Sequence, residues 1–239
     1  MKGKGNAIIV GASSGIGEAL ARRFTTEGYR VGICARRLEL LMELQSALPG
    51  SVVKQMDVSK PDEAVGLFHG LIEEMGGTDI VVMSAGTGFI NPELEWLKEE
   101  ATIQVNVTGF CAIADAAVKY FIERGQGHFI AISSVAALFG SRRAPAYNAS
   151  KAFVSSYLEG PRGKIKHLRL PVTITDIRPG FVDTAMAQGP GIFWMASPQE
   201  AARQIYEAIT KKKACAYVTR RWRLVAWVSR IVPHSLLSR

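Results

Sequence analysis

One stretch constrains this chain more than any other. Gly11-Ala12-Ser13-Ser14-Gly15-Ile16-Gly17 lies between the apolar run Ala7-Ile8-Ile9-Val10 and a helix-forming segment that opens with Glu18-Ala19-Leu20. Side chains at the glycines would block a tight strand-to-helix turn and hold the backbone away from a diphosphate, whose charge then sits at the helix N-terminus. Glycine clusters also mark ordinary turns. The position between strand and helix is the context that favours a nucleotide site, with Gly11, Ser13, Ser14, Gly15, Ile16 and Gly17 as candidate binders.

The rest of the chain repeats the same rhythm. Short runs rich in Ile and Val predict strands at Ala7–Val10, Arg30–Cys34, Ser51–Met56, Asp79–Met83, His128–Ile132, Val172–Asp176 and Cys215–Val218. Between them the pattern predicts helices at about 15–27, 38–48, 61–75, 99–124, 146–168 and 198–212. Strands apolar on both faces, such as Ile80-Val81-Val82-Met83, fit a parallel sheet covered by helices on both sides. The expectation is an α/β fold, one doubly wound parallel sheet of Rossmann type. Ser197-Pro198-Gln199-Glu200 is a capping box with proline at the first helical position. Gly160-Pro161 falls inside the helix predicted over 146–168, so a kink or break is expected near Glu159.

Charge divides the chain unevenly. The formal net charge is +8, yet residues 1–207 carry 21 basic and 21 acidic side chains. The last 32 residues hold eight basic side chains and no acid, so a body neutral over 1–207 is followed by a basic C-terminal end; the domain is expected over 1–218 and a basic amphipathic tail over 219–239. Hydrophobic content of 48% and charged content of 21% exclude disordered and collagen-like chains. Cys34, Cys111 and Cys215 are far apart and show no metal-ligand spacing with the histidines, which suggests a reducing, cytoplasmic setting and no metal. The N-terminus lacks the pattern of a signal peptide, and no uninterrupted apolar run reaches the ~18 residues of a membrane span.

The GxxxGxG spacing, with motifs in the same order over roughly residues 5–215, resembles the short-chain dehydrogenase/reductase family. Ser84-Ala85-Gly86 after the fourth strand is similar to that family's NNAG turn, with Met83 and Ser84 in place of asparagines. Arg178-Pro179-Gly180-Phe181-Val182-Asp183-Thr184 resembles its PGxVxT segment. The resemblance implies nicotinamide contacts from Pro179, Gly180, Val182 and Thr184, further cofactor contacts from Ala85 and Gly86, and adenine contacts from Asp57-Val58. Asp57 is equally suited to cap the next helix.

At the end of the second strand a carboxylate would bind the adenosine ribose and repel a 2′-phosphate. This chain has Cys34-Ala35-Arg36-Arg37 there, which favours NADP; Arg36 is the first choice of phosphate partner, beside Arg37, Ser13 and Ser14.

Tyr147-Asn148-Ala149-Ser150-Lys151 puts a phenol and an ammonium at i and i+4 on one helix face. Ser134 stands 13 residues upstream, the interval at which the resembled family places its catalytic serine, and Asn106 matches its helix asparagine. The resemblance assigns proton transfer to Tyr147, hydrogen bonding of the reacting oxygen to Ser134, ribose binding and a lowered phenol pKa to Lys151, and support of a proton-relay water to Asn106.

The implied activity is a carbonyl–alcohol oxidoreductase. Phe193-Trp194-Met195, in a short substrate loop over Ala185–Ala196, suggests an apolar or lipid-like small molecule. Arg142 and Arg143 leave open a 3-oxoacyl-thioester reductase, and a silent NADP-binding sensor or scaffold is the reading from another class. A homo-oligomer, dimer or tetramer, is expected, and no nucleic acid. The tail reads as an amphipathic helix with Leu224, Trp227, Val228, Ile231 and Val232 on one arc and Pro233 ending it. Packing of that arc on the body is favoured somewhat over contact with an anionic membrane.

Overall fold

A computed structural model describes residues 3–187 and 193–228. Its strands are β1 (Gly5–Val10), β2 (Tyr29–Ala35), β3 (Val52–Gln55), β4 (Ile80–Met83), β5 (Gly127–Ile132), β6 (Val172–Pro179) and β7 (Cys215–Val218). All pair in parallel in the order β3-β2-β1-β4-β5-β6-β7. The doubly wound sheet expected from the sequence is therefore present. Alternating side chains of each strand divide the core: Ile8 and Val10 face one layer, Ala7 and Ile9 the other.

The second layer is covered by α1 (Gly15–Thr26), α2 (Leu38–Ser46) and α8 (Pro198–Thr210), which bury Leu20, Phe24, Leu41 and Ile205. The first is covered by α3 (Pro61–Glu74), α5 (Phe110–Arg124), α6 (Pro145–Tyr157) and α7 (Glu159–Leu168), through Phe68, Ile113, Phe121 and Val154. The predicted helix over 99–124 begins earlier, as α4 (Trp96–Ile103), and reaches α5 through a π-helical turn, Gln104–Gly109. Together Trp96–Arg124 is long and apolar enough by composition to cross a membrane, but half of it is buried and its core face packs on α3 and β5.

The break near Glu159 falls where expected. Pro161 sits in the first turn of α7, where its missing N–H would have no partner in any case. Ser197 caps α8, its Oγ accepting from the Glu200 backbone N–H at 3.2 Å.

The tail differs from the expectation. Among the described residues its helix is α9 (Trp222–Val228); Ile231, Val232 and Pro233 lie outside them. The residues it buries are Trp222 and Ala226, while Leu224, Trp227 and Val228 are exposed. Trp222 packs among Phe181, Phe193 and Trp194, and this contact fixes which face of the helix turns inward.

Candidate active site

The strand order reverses between β1 and β4, so the loops after these two strands open a crevice at the C-terminal edge of the sheet. The glycine turn occupies it. Gly11 has φ +90° and its Cα lies against the Ala85 backbone, so any side chain would collide with the turn after β4. Gly17 is pressed in the same way on the Gly11 carbonyl, and a Cβ on Gly15 would meet Thr184 Cγ2 at 2.9 Å. The turn is thus a backbone cradle at the N-terminus of α1, closed on one side by Thr184.

At its outer rim Arg37 donates from Nη2 to Ser13 Oγ at 2.9 Å and to Ser14 Oγ at 2.7 Å. Arg36 is exposed, and its carbonyl accepts from Gln55 Nε2 at 2.9 Å. Of the two guanidiniums the sequence offers, the structure brings Arg37 to the glycine turn. Asp57 Oδ1 accepts from Ser59 N at 3.0 Å and Ser59 Oγ at 2.7 Å, so the carboxylate closes its own turn before α3, and Val58 is buried against Gly109.

The candidate catalytic residues converge below the crevice. Ser134 follows β5; its Oγ accepts from Ala136 N at 3.0 Å and donates to the Pro179 carbonyl at 3.3 Å. Burial around its oxygen pushes the Tyr147 phenol pKa up, and the nearby Ser134 hydroxyl opposes this more weakly. The net direction is upward, although the residue as a whole is only partly buried. Lys151 is buried, donates from Nζ to the Ile132 carbonyl at 3.0 Å, and lies 5.7 Å from the centre of the Tyr147 ring. Burial pulls its pKa down to about 8, against an opposing attraction from Asp176. The phenol pKa therefore stands above its ordinary value, and the ammonium exerts no resolved downward pull.

Asn106 sits inside the π-helical turn and is fixed on three sides. Its Oδ1 accepts from Thr87 N at 2.8 Å, and its Nδ2 donates to the Thr87 carbonyl at 2.7 Å and to Ser150 Oγ at 3.0 Å. Gly86 lies beside both Lys151 Nζ and Asn106 Oδ1. The four candidates thus share one site with the turn after β4.

Several supporting residues escaped the sequence reading. Gly88 lies under the Tyr147 ring with no room for a Cβ. Asn148, inside the Tyr-xxx-Lys spacing, donates to the Ala136 and Phe139 carbonyls at 3.1 and 2.8 Å and ties α6 to the turn after Ser134. Asp176 is fully buried, held by Ser133 Oγ and by Arg178 Nε at 2.7 Å. Gly180, already named as a cofactor contact, also packs beneath the Trp222 indole, a neighbour the sequence did not indicate. A glycine or buried carboxylate far from any motif carries no local signal; only its position after folding reveals it.

A family model described as short chain dehydrogenase matches residues 5–191. An uncharacterised oxidoreductase of Myxococcus xanthus is 36% identical over 186 residues, 75% of this chain and 73% of that protein. The crystal structure of a variant actinorhodin polyketide ketoreductase with NADPH matches with a TM-score of 0.77 at 26% identity, covering 89% of this chain and 95% of that one. A short-chain dehydrogenase/reductase from Burkholderia phymatum, in complex with NAD, superimposes with a TM-score of 0.83 over 98% of this chain and 95% of its own; at 18% identity it shows the fold alone. With the glycine cradle and the Ser134–Tyr147–Lys151 cluster in place, these matches make the chain an oxidoreductase of the short-chain dehydrogenase/reductase family.

Proposed function

We propose that the chain is an NADP-dependent reductase that interconverts a carbonyl and an alcohol on a small apolar substrate. The observation that carries this reading is the half-buried Tyr147 phenol, set near Ser134 and backed by Lys151 beside the turn after β4. A phenol raised above its ordinary pKa is neutral at pH 7 and holds the proton that carbonyl reduction requires. Tyr147 then gives this proton to the substrate oxygen, while Ser134 hydrogen-bonds that oxygen as negative charge develops. Lys151, near the crevice floor, orients the ribose end of the cofactor, and Asn106 and Thr87 keep the π-helical turn against it. The nicotinamide dinucleotide, when bound, supplies or accepts the hydride.

The preference for NADP rests on charge. No carboxylate stands at the end of β2, and Arg37 is bonded to the Ser13–Ser14 rim with Arg36 exposed beside it in the chain. Affinities for NADPH and NADH measured with Arg36→Ala and Arg37→Ala test it. The expected result is a loss of about tenfold or more in NADPH affinity for Arg37→Ala, with NADH little changed; equal affinities for the two dinucleotides in the unaltered protein overturn it.

The substrate class rests on Phe193, Trp194 and Met195, all exposed beside the crevice. Loss of NADPH absorbance across a panel of apolar ketones tests the activity. NADPH binding without turnover on any carbonyl would leave the silent sensor instead. A second reading, reduction of a 3-oxoacyl thioester, is favoured by Arg142 and Arg143, both exposed on the segment between Ser134 and Tyr147. Their replacement by alanine would raise KM for the thioester and leave small ketones unaffected. Exposed Trp96, Leu97, Ile103 and Phe153 on α4 and α6 support a homo-oligomer, which light scattering would measure. A reducing cytoplasm suits the three cysteines.

A further inference from the structure

Helix α9 has two apolar faces, and the body uses only one. Trp222 and Ala226, one turn apart, are 3% and 4% exposed. Trp227 and Leu224 lie about 140° and 200° around the helix from Trp222, on its opposite side. They are 64% and 65% exposed, and Val228 beside them is 45% exposed.

This outward face adjoins the substrate loop. The Trp222 ring lies 5.2 Å from Phe193 and 5.8 Å from Trp194, centre to centre, and the loop side chains Phe193, Trp194 and Met195 are themselves exposed. Arg221 lies over the Trp194 ring at 5.5 Å and Arg223 is exposed, while Arg220 is paired with Glu207 at 2.7 Å. The result is an apolar surface flanked by the Arg221 and Arg223 guanidiniums, next to the Pro179–Gly180 turn that Ser134 contacts.

We propose that this face docks the protein on an anionic lipid surface and opens the substrate crevice toward the bilayer. Three features select lipid as the occupant. The tail from Thr219 to Arg239 carries five arginines and no acid, so the complementary partner is negative. A second copy of the same face would bring like charges together across a twofold interface. Tryptophan beside arginine suits the boundary between headgroups and acyl chains, where the ring sits in the apolar layer and the charge stays in water. Lipid-soluble carbonyl compounds would then reach Tyr147 from the membrane. That last step rests on the oxidoreductase reading; the docking face does not.

Co-sedimentation of the full chain with phosphatidylcholine vesicles, with and without phosphatidylserine, tests the proposal. Binding is expected only to the vesicles that contain phosphatidylserine, and it weakens as salt is raised. Leu224→Glu with Trp227→Glu should lower the partition at least about tenfold. Arg223→Gln should lower it about fivefold. Turnover of a water-soluble ketone should be unchanged in these variants, because none of the three residues belongs to the catalytic site; its loss in the parent protein would sink the activity and leave the docking result standing. No binding to either vesicle, equal binding to both, or equal binding by the double variant overturns the proposal. So does a double variant whose only change is a smaller oligomer, which would make the face a contact between copies.

Discussion

Helices α6 and α9 handle their side chains in opposite ways. Helix α6 takes a tyrosine and a lysine, groups that water would solvate well, and sets them where burial moves the pKa of both. Helix α9 takes Leu224, Trp227 and Val228, groups that water solvates poorly, and leaves them outside. In each case the unfavourable placement falls where a working surface is proposed. Desolvation in α6 holds the phenol protonated and brings the lysine within reach of neutral pH; the unburied arc of α9 keeps apolar area in hand for a partner.

The contrast can be broken most directly at α6. Tyr147→Phe removes the proton donor and keeps the ring, so kcat should fall by roughly 10²–10⁴-fold with NADPH affinity unchanged; full turnover in steady-state assays would show that the burial of the phenol serves no chemistry. Next in size is Trp222→Ala. It empties the pocket between Gly180, Phe181 and Phe193 and should cost about 3–5 kcal/mol in urea unfolding. A loss as small as that of a surface residue would mean that α9 is not anchored by this ring.

Lys151→Met sharpens the contrast through its pH dependence. The folded-state value of about 8 lies below the ordinary 10.5, so the unfolded chain binds more protons between these limits and stability rises with pH across that window. Removing the ammonium should flatten this slope and raise stability near pH 7 by up to roughly 3 kcal/mol while turnover falls. A slope retained in the variant would assign it to another group. The smallest effect belongs to Trp227→Ser, which should stay within about 0.5 kcal/mol of the parent in thermal unfolding, because the ring is exposed.

The sheet and most helices were readable because their signal is local. Apolar runs of four to six residues, a capping box at Ser197 and a proline at 161 each act within one turn or strand. The candidate site was readable at Gly11–Gly17 and at the Tyr147–Lys151 pair from local spacing, whereas Ser134 was reached through the family resemblance, which supplies its interval to Tyr147. What escaped depends on distant partners. Gly88 is needed because Tyr147, 59 positions later, lies on it, and Asp176 matters because of Ser133 and Arg178 around it. The rotation of α9 escaped as well. Periodicity grouped Leu224, Trp227 and Val228 correctly, but an arc that is apolar does not say which way it turns, and the pocket for Trp222 decided that.

The π-helical turn at Gln104–Gly109 also acts as a phase shifter. It inserts about one extra residue into the winding, so the helix beyond it is rotated by about 100° relative to an uninterrupted one. Helix α4 meets α6 upstream of the turn, and α5 meets α3 and the sheet downstream of it. A one-residue deletion that restored regular winding would leave both halves well formed and aim one of them at the wrong neighbour. Two surfaces with different obligations are kept in register by a single irregular turn, and Asn106 sits in that turn.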